Sequence, residues 1–101
     1  MSHHKQFYIN GKWVEPKGDT TLDVINPATE EAVAAIALGN KEDVDLAVAA
    51  ARNAFESYSN TSREERIALL ERVMGVFKKR MGEVADAISI EMGAPAKLAK
   101  M

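Results

Sequence analysis

Apolar positions change their period near the middle of this chain. Before Gly39 they come in short runs broken by turn residues, and after Asn40 they recur every three or four residues. Phe7-Tyr8-Ile9 and Lys12-Trp13-Val14 flank Asn10-Gly11. That pair suits a type I′ turn, whose two central residues both need positive φ, so a tight hairpin is predicted. Glu15 to Asp19 reads as a turn or short loop. Thr21 to Ile25 alternates, with Leu22 and Val24 on one face, and predicts a strand. Pro27 has no N–H to give a ladder, so pairing should stop there. Val33 to Leu38 predicts another strand, which Gly39 breaks.

The second half reads as helix. Asn40 is a candidate N-cap with Asp43 three residues on, where an acid favours the helix dipole. Val44, Ala47, Val48, Ala51, Phe55 and Tyr58 then share one face, and Asp45, Arg52 and Glu56 lie on another. Ser59-Asn60-Thr61 ends this helix, and Ser62 with Glu65 forms a capping-box signature for the next. A stripe of Ile67, Leu70, Met74, Phe77, Met81, Val84 and Ile88 follows, in alternating steps of three and four. It reads as a core-facing surface, with a coiled coil or a ligand groove as the alternatives. Gly75 and Gly82 each cost a helix interior roughly 1 kcal/mol against alanine. A bend or break is therefore expected near Gly82, with Glu83 to Met92 as a further helical piece. Gly93 is a natural C′ residue, and Pro95 lies just beyond it. Ala96 to Met101 looks like the first turns of another helix and carries no C-cap signal, which predicts a truncated piece of a longer protein, with a frayed natural terminus as the alternative.

Composition excludes more than it assigns. The 101 residues allow one small domain, and 47% hydrophobic with 28% charged residues is an ordinary globular balance. A net charge of −2 gives no basic field for nucleic acid. Lys78-Lys79-Arg80 reads as a solvated helix face. With no cysteine, these residues hold no disulfide, thiolate metal site or cysteine nucleophile, which is compatible with a cytoplasmic protein. No apolar run is long enough for a membrane span, and Met1 to Gln6 lacks the apolar core of a signal peptide. The adjacent His3 and His4 read as incidental or tag-like. The glycines have no phosphate-loop spacing, and neither histidine has a metal-ligand spacing to a carboxylate. The pairs Glu30-Glu31 and Glu64-Glu65 fit turn and helix-start roles, and Ser57, Ser59 and Ser62 have no neighbouring histidine. No catalytic site is visible.

The order of these signals nevertheless resembles a known family. Ile9-Asn10-Gly11-Lys12-Trp13 is followed by Val24-Ile25-Asn26-Pro27-Ala28-Thr29. Glu42 to Val48 with Ala50-Ala51 and Ala54-Phe55, Arg66 to Leu70, and Glu91-Met92-Gly93 come next. From about Phe7 onward the chain resembles the start of the aldehyde dehydrogenase superfamily. The resemblance implies an α/β parent fold with a Rossmann-type cofactor domain. Residues 1–101 would be the N-terminal part of that domain: a hairpin and strands, then two or three helices. The parent would oxidise a small-molecule aldehyde to a carboxylic acid with NAD or NADP through a cysteine thiohemiacetal. It would do so as a homo-oligomer, a dimer or tetramer, without nucleic acid or membrane. In the family the catalytic cysteine, the glutamate that activates water and the main cofactor contacts all lie beyond this segment, so none is carried over. A monovalent cation, Na+ or K+, is held in some members at positions matching Val24, Ile25 and Glu91, largely through backbone oxygens and with another ligand from outside this segment; the alternative is that Val24 and Ile25 are plain strand residues and Glu91 a helix-end acid.

There are two departures from the family. Glu30 stands where glycine is usual: if the backbone there needs positive φ the glutamate costs roughly 1–2 kcal/mol, and the favoured expectation is that the turn differs instead. Glu91 to Pro95 differs from the common Thr-Gly-Lys version. The alternative function is a stand-alone helical interaction module that associates through the stripe from Ile67 to Ile88.

Overall fold

The computed structural model describes residues 3–101. Four short strands precede three helices: β1 (Phe7–Ile9), β2 (Lys12–Val14), β3 (Thr21–Ile25), β4 (Ala32–Ala37), α1 (Lys41–Tyr58), α2 (Arg63–Met92) and α3 (Ala96–Ala99). Strands β1 and β2 form one two-stranded sheet, and β3 and β4 form another. The chain divides into two compact units. One holds the residues through Val24 and residues 32–60, and the other holds residues 25–31 and 61–101.

In the first unit the Asn10-Gly11 hairpin forms as its sequence predicts. Asn10 has φ 55° and Gly11 φ 76°, the left-handed pair that a type I′ turn needs. Phe7 faces Val14 and Tyr8 faces Trp13 across the antiparallel ladder. The Tyr8 and Trp13 rings meet edge to face at 5.2 Å. Strands of three residues are marginal alone. The segment before β1 therefore adds support. The His3 ring stacks on Trp13 at 4.0 Å, and Gln6 Nε2 donates to Glu15 Oε1 at 2.7 Å.

Asp43 fastens the strand region to α1. It is one of three buried residues among those described, and the only charged one. Asn40 Oδ1 accepts from the Asp43 N–H at 3.1 Å, and Asp43 Oδ2 accepts from the Asn40 N–H at 3.0 Å. This is a reciprocal capping box. Its second oxygen, Oδ1, accepts from the Lys17 N–H at 3.0 Å, in the loop between β2 and β3. The sequence reading saw Asp43 only as a first-turn acid. Its bond to Lys17 joins distant residues and leaves no local signal.

In the second unit α2 also opens on a capping box, with Ser62 Oγ accepting from the Glu65 N–H at 3.1 Å and Glu65 Oε2 accepting from the Ser62 N–H at 3.0 Å. The helix then runs 30 residues to Met92 without interruption, so the expected break at Gly82 does not occur. Neither Gly75 nor Gly82 takes a positive φ, and no atom crowds the space a Cβ would fill. Each glycine weakens the helix without interrupting it, unlike a proline, because its N–H stays in the ladder.

The stripe expected to face a core is open to solvent. Its side chains run from Ile88, half-buried, and Val84 at 37% exposure to Leu70 at 61%, and the buried apolar residues among those described are the small Ala85 and Ala94. Full burial of a Leu, Ile, Phe or Met side chain is worth about 1.5–3 kcal/mol, so each half-exposed residue leaves about 1 kcal/mol unrealised. The elements thus rest on caps and turns.

Replacing Asp43 with alanine removes the cap and orphans two amides, at an expected cost of about 2–3 kcal/mol. Hydrogen exchange at the Lys17 and Asn40 amides should accelerate together. Acceleration at Asn40 alone would show that Asp43 is only a local cap.

Candidate functional site

The turn between β3 and β4 is the most constrained part of the second unit. Asn26 closes it through three of its groups. Its Oδ1 accepts from the Ala28 N–H at 2.9 Å, and its carbonyl accepts from the Glu30 N–H at 2.7 Å. Its own N–H donates to the Glu31 carbonyl at 2.9 Å. Short polar side chains favour such local bonds, and Pro27 fixes the φ that follows. Glu30 takes φ 62°. The expectation that the turn would differ to suit a glutamate is therefore wrong. The hydrogen bonds on either side hold the left-handed geometry, and the glutamate adopts it at a cost of about 1–2 kcal/mol.

Gly93 closes α2 against this turn. It has φ 77° and ψ 15°, and its N–H donates to the Ser89 carbonyl at 3.0 Å, which makes it a left-handed helix stop. A Cβ on Gly93 would lie 2.8 Å from Cγ of Pro27. Glycine is required there twice, by conformation and by space. The sequence signals the helix stop, but nothing in it points to Pro27 as the neighbour.

Of the residues expected to ligate a cation, Ile25 directly precedes this turn. Val24 is half-buried near the end of β3 and belongs to the first unit, whereas Ile25 and Glu91 belong to the second. Glu91 is exposed in the last turn of α2, and its carboxylate has no hydrogen-bond or ion-pair partner among the described residues. Two carbonyls and a carboxylate are hard oxygen donors, which suits Na+ or K+. No group of three or more His, Cys, Asp or Glu side chains gathers for a metal among the described residues.

Elsewhere the chemistry is sparse. An open depression in the first unit is lined by His3, His4, Lys5, Gln6, Glu15 and Ala35. Its His3 ring stacks on Trp13, and its Nδ1 donates to Gln6 Oε1 at 2.7 Å. The Arg80 guanidinium, 2.7 Å from Glu83, holds that carboxyl below its usual range and is itself raised, by the hydrogen bond first and by charge second. Both side chains are solvated, so the pair adds little stability. No described helix is long and apolar enough to cross a membrane.

Comparison with known proteins is decisive where the side chains are silent. Residues 13–101 match the model of the aldehyde dehydrogenase family. The chain is 53% identical over 95 residues to a 3-succinoylsemialdehyde-pyridine dehydrogenase of a Pseudomonas species, covering 94% of this chain and 20% of that protein. A putative aldehyde dehydrogenase of Staphylococcus aureus is 45% identical over 100 residues, 99% of this chain and 21% of that one. Among solved structures, an aldehyde dehydrogenase C variant from Pseudomonas syringae, in complex with NAD+ and octanal, superposes with a TM-score of 0.95 at 46% identity. The match covers 97% of this chain and 20% of that one. An aldehyde dehydrogenase from Bartonella henselae gives 0.92 at 44% identity, covering 94% and 20%. The chain thus spans about a fifth of the length of the relatives it matches. No finding favours the stand-alone helical module.

The strained turn makes a paired prediction. Glu30→Gly should stabilise the fold by about 0.5–1 kcal/mol, after allowing for the entropy that glycine adds to the unfolded chain. Gly93→Ala should destabilise it by about 2 kcal/mol or more, through left-handed strain together with the Pro27 contact. Urea midpoints shifting the opposite way at either position would refute the assigned geometry.

Proposed function

Because the chain belongs to the aldehyde dehydrogenase family, we propose that it is the N-terminal part of a longer enzyme that oxidises an aldehyde to a carboxylic acid. One observation carries this reading. The same fold, at 46% identity, occurs in an aldehyde dehydrogenase bound to NAD+ and octanal. NAD is the cofactor we propose, since it is the one named in that complex and in that of a betaine aldehyde dehydrogenase from Staphylococcus aureus.

The contribution of these residues is structural. With no cysteine in the chain, the nucleophile must come from the rest of the enzyme. The hairpin, the Asn26 turn and the two capped helices form scaffold of the cofactor-binding domain. A monovalent cation at Val24, Ile25 and Glu91 belongs to the same reading, supported by the family resemblance and by the uncommitted Glu91 carboxylate. It would supply a positive charge for oxygen atoms to organise around, and it would take no part in the chemistry.

The reading predicts that the longer protein reduces NAD+ in the presence of octanal, followed by NADH absorbance, and loses this activity when its nucleophilic cysteine is replaced. The 101-residue chain alone should produce no NADH. Aldehyde-dependent NADH from the short chain, or none from the long one, would overturn it. For the cation, the longer protein should melt at a higher temperature in KCl or NaCl than in choline chloride at equal ionic strength. Identical midpoints in all three salts would remove the cation from the picture.

A further inference from the structure

One asparagine of this chain differs chemically from the rest. Asn10 precedes Gly11, whose amide nitrogen has no side chain beside it to hinder an approach. No described residue pairs with the Asn10 side-chain amide. The other asparagines are held back. Asn26 precedes Pro27, which has no N–H. Asn40 Oδ1 caps α1, and Asn60 Nδ2 donates to the Glu56 carbonyl at 2.9 Å. Asn53 lies inside α1, where the next N–H belongs to the helix ladder.

Asn10 and Gly11 can react with each other. The Gly11 nitrogen gives its proton to base and attacks Cγ of Asn10. The new bond from that nitrogen to Cγ closes a five-membered succinimide, and the side-chain nitrogen leaves as ammonia. Water then opens the ring. Cleavage at Cγ gives aspartate. Cleavage at the main-chain carbonyl gives isoaspartate, whose backbone runs through Cβ and Cγ. One water enters, one ammonia leaves, and nothing is oxidised or reduced.

The hairpin controls the first step. In a type I′ turn the first central residue has ψ of about +30°. That angle points the Gly11 nitrogen away from the Asn10 side chain. Ring closure needs both on the same side of the Cα–C bond, so the turn must open first. Strands of three residues hold a hairpin weakly, and the His3 ring, stacked on Trp13 at 4.0 Å, braces it from outside the ladder. Isoaspartate adds one atom to the main chain between Ile9 and Lys12, which face each other across the ladder. The lengthened turn no longer fits type I′ geometry, so the opening becomes permanent.

We propose that Asn10-Gly11 is a covalent modification site, where Asn10 becomes aspartate and isoaspartate through a succinimide, and that the hairpin braced by His3 sets its rate. The determinants are local to the hairpin and independent of the catalytic reading.

The test keeps the 101-residue chain in mildly alkaline buffer made with isotopically labelled water. Peptide mapping by mass spectrometry then locates the label and separates the two acids. Position 10 should gain label first, in both acid forms. Its rate should rise about tenfold or more in concentrated urea, where the turn is open. His3→Ala leaves the ladder residues intact and should speed the reaction about threefold or more in native buffer. In urea the variant and the parent should react at one rate, because the brace acts only on the closed hairpin. Label appearing first at another asparagine overturns the proposal. So does a rate at position 10 that urea leaves unchanged. A His3→Ala variant that is no faster in native buffer, or that is still faster in urea, also overturns it.

Discussion

Hydrogen bonds at chain reversals, and not a hydrophobic core, hold these residues in place. Asp43 shows why that suffices. One buried carboxylate takes the N–H groups of Lys17 and Asn40, so a loop and a helix start become a single rigid joint. Ser62 with Glu65, and Asn26 with Ala28, Glu30 and Glu31, repeat the device on a smaller scale. Each joint contributes about 1 kcal/mol per bond. That is enough to fix local geometry and far less than a core supplies. The elements are therefore well defined while the surfaces that should bury them stay open.

Much of this architecture was legible in the sequence because its determinants are local. Asn10-Gly11 specifies its own turn through positive φ, and a cap box needs only residues three apart. What could not be read were the contacts between distant residues. Asp43 reaching Lys17, and Gly93 fitting over Pro27, depend on how elements pack. Two of the expectations that the structure overturns have local physical causes. Gly82 was given the power to break a helix, but glycine only raises its cost. Glu30 was expected to reshape its turn, but three bonds to Asn26 outweigh the strain on one residue.

The candidate site was legible only as an order of elements. Val24, Ile25 and Glu91 are unremarkable residue types, and backbone oxygens, which every residue carries, leave no mark in a sequence. Catalytic chemistry would have announced itself through a cysteine or a paired base, and the chain has no cysteine. The spacing of turns and helices identified the family instead, because that spacing records a fold that reactive groups elsewhere rely on.

The exposed apolar stripe of α2 also has a consequence in time. In the longer enzyme proposed here, these residues belong to the N-terminal part and are made before most of the chain. A fifth of the relatives' length implies roughly four times as much chain still to be made, which at about 5–20 residues per second takes on the order of half a minute. Throughout that interval Leu70, Met74 and Phe77 face water beside other nascent chains. The Lys and Glu residues on the far side of the helix are the charges that favour dispersion over such an interval.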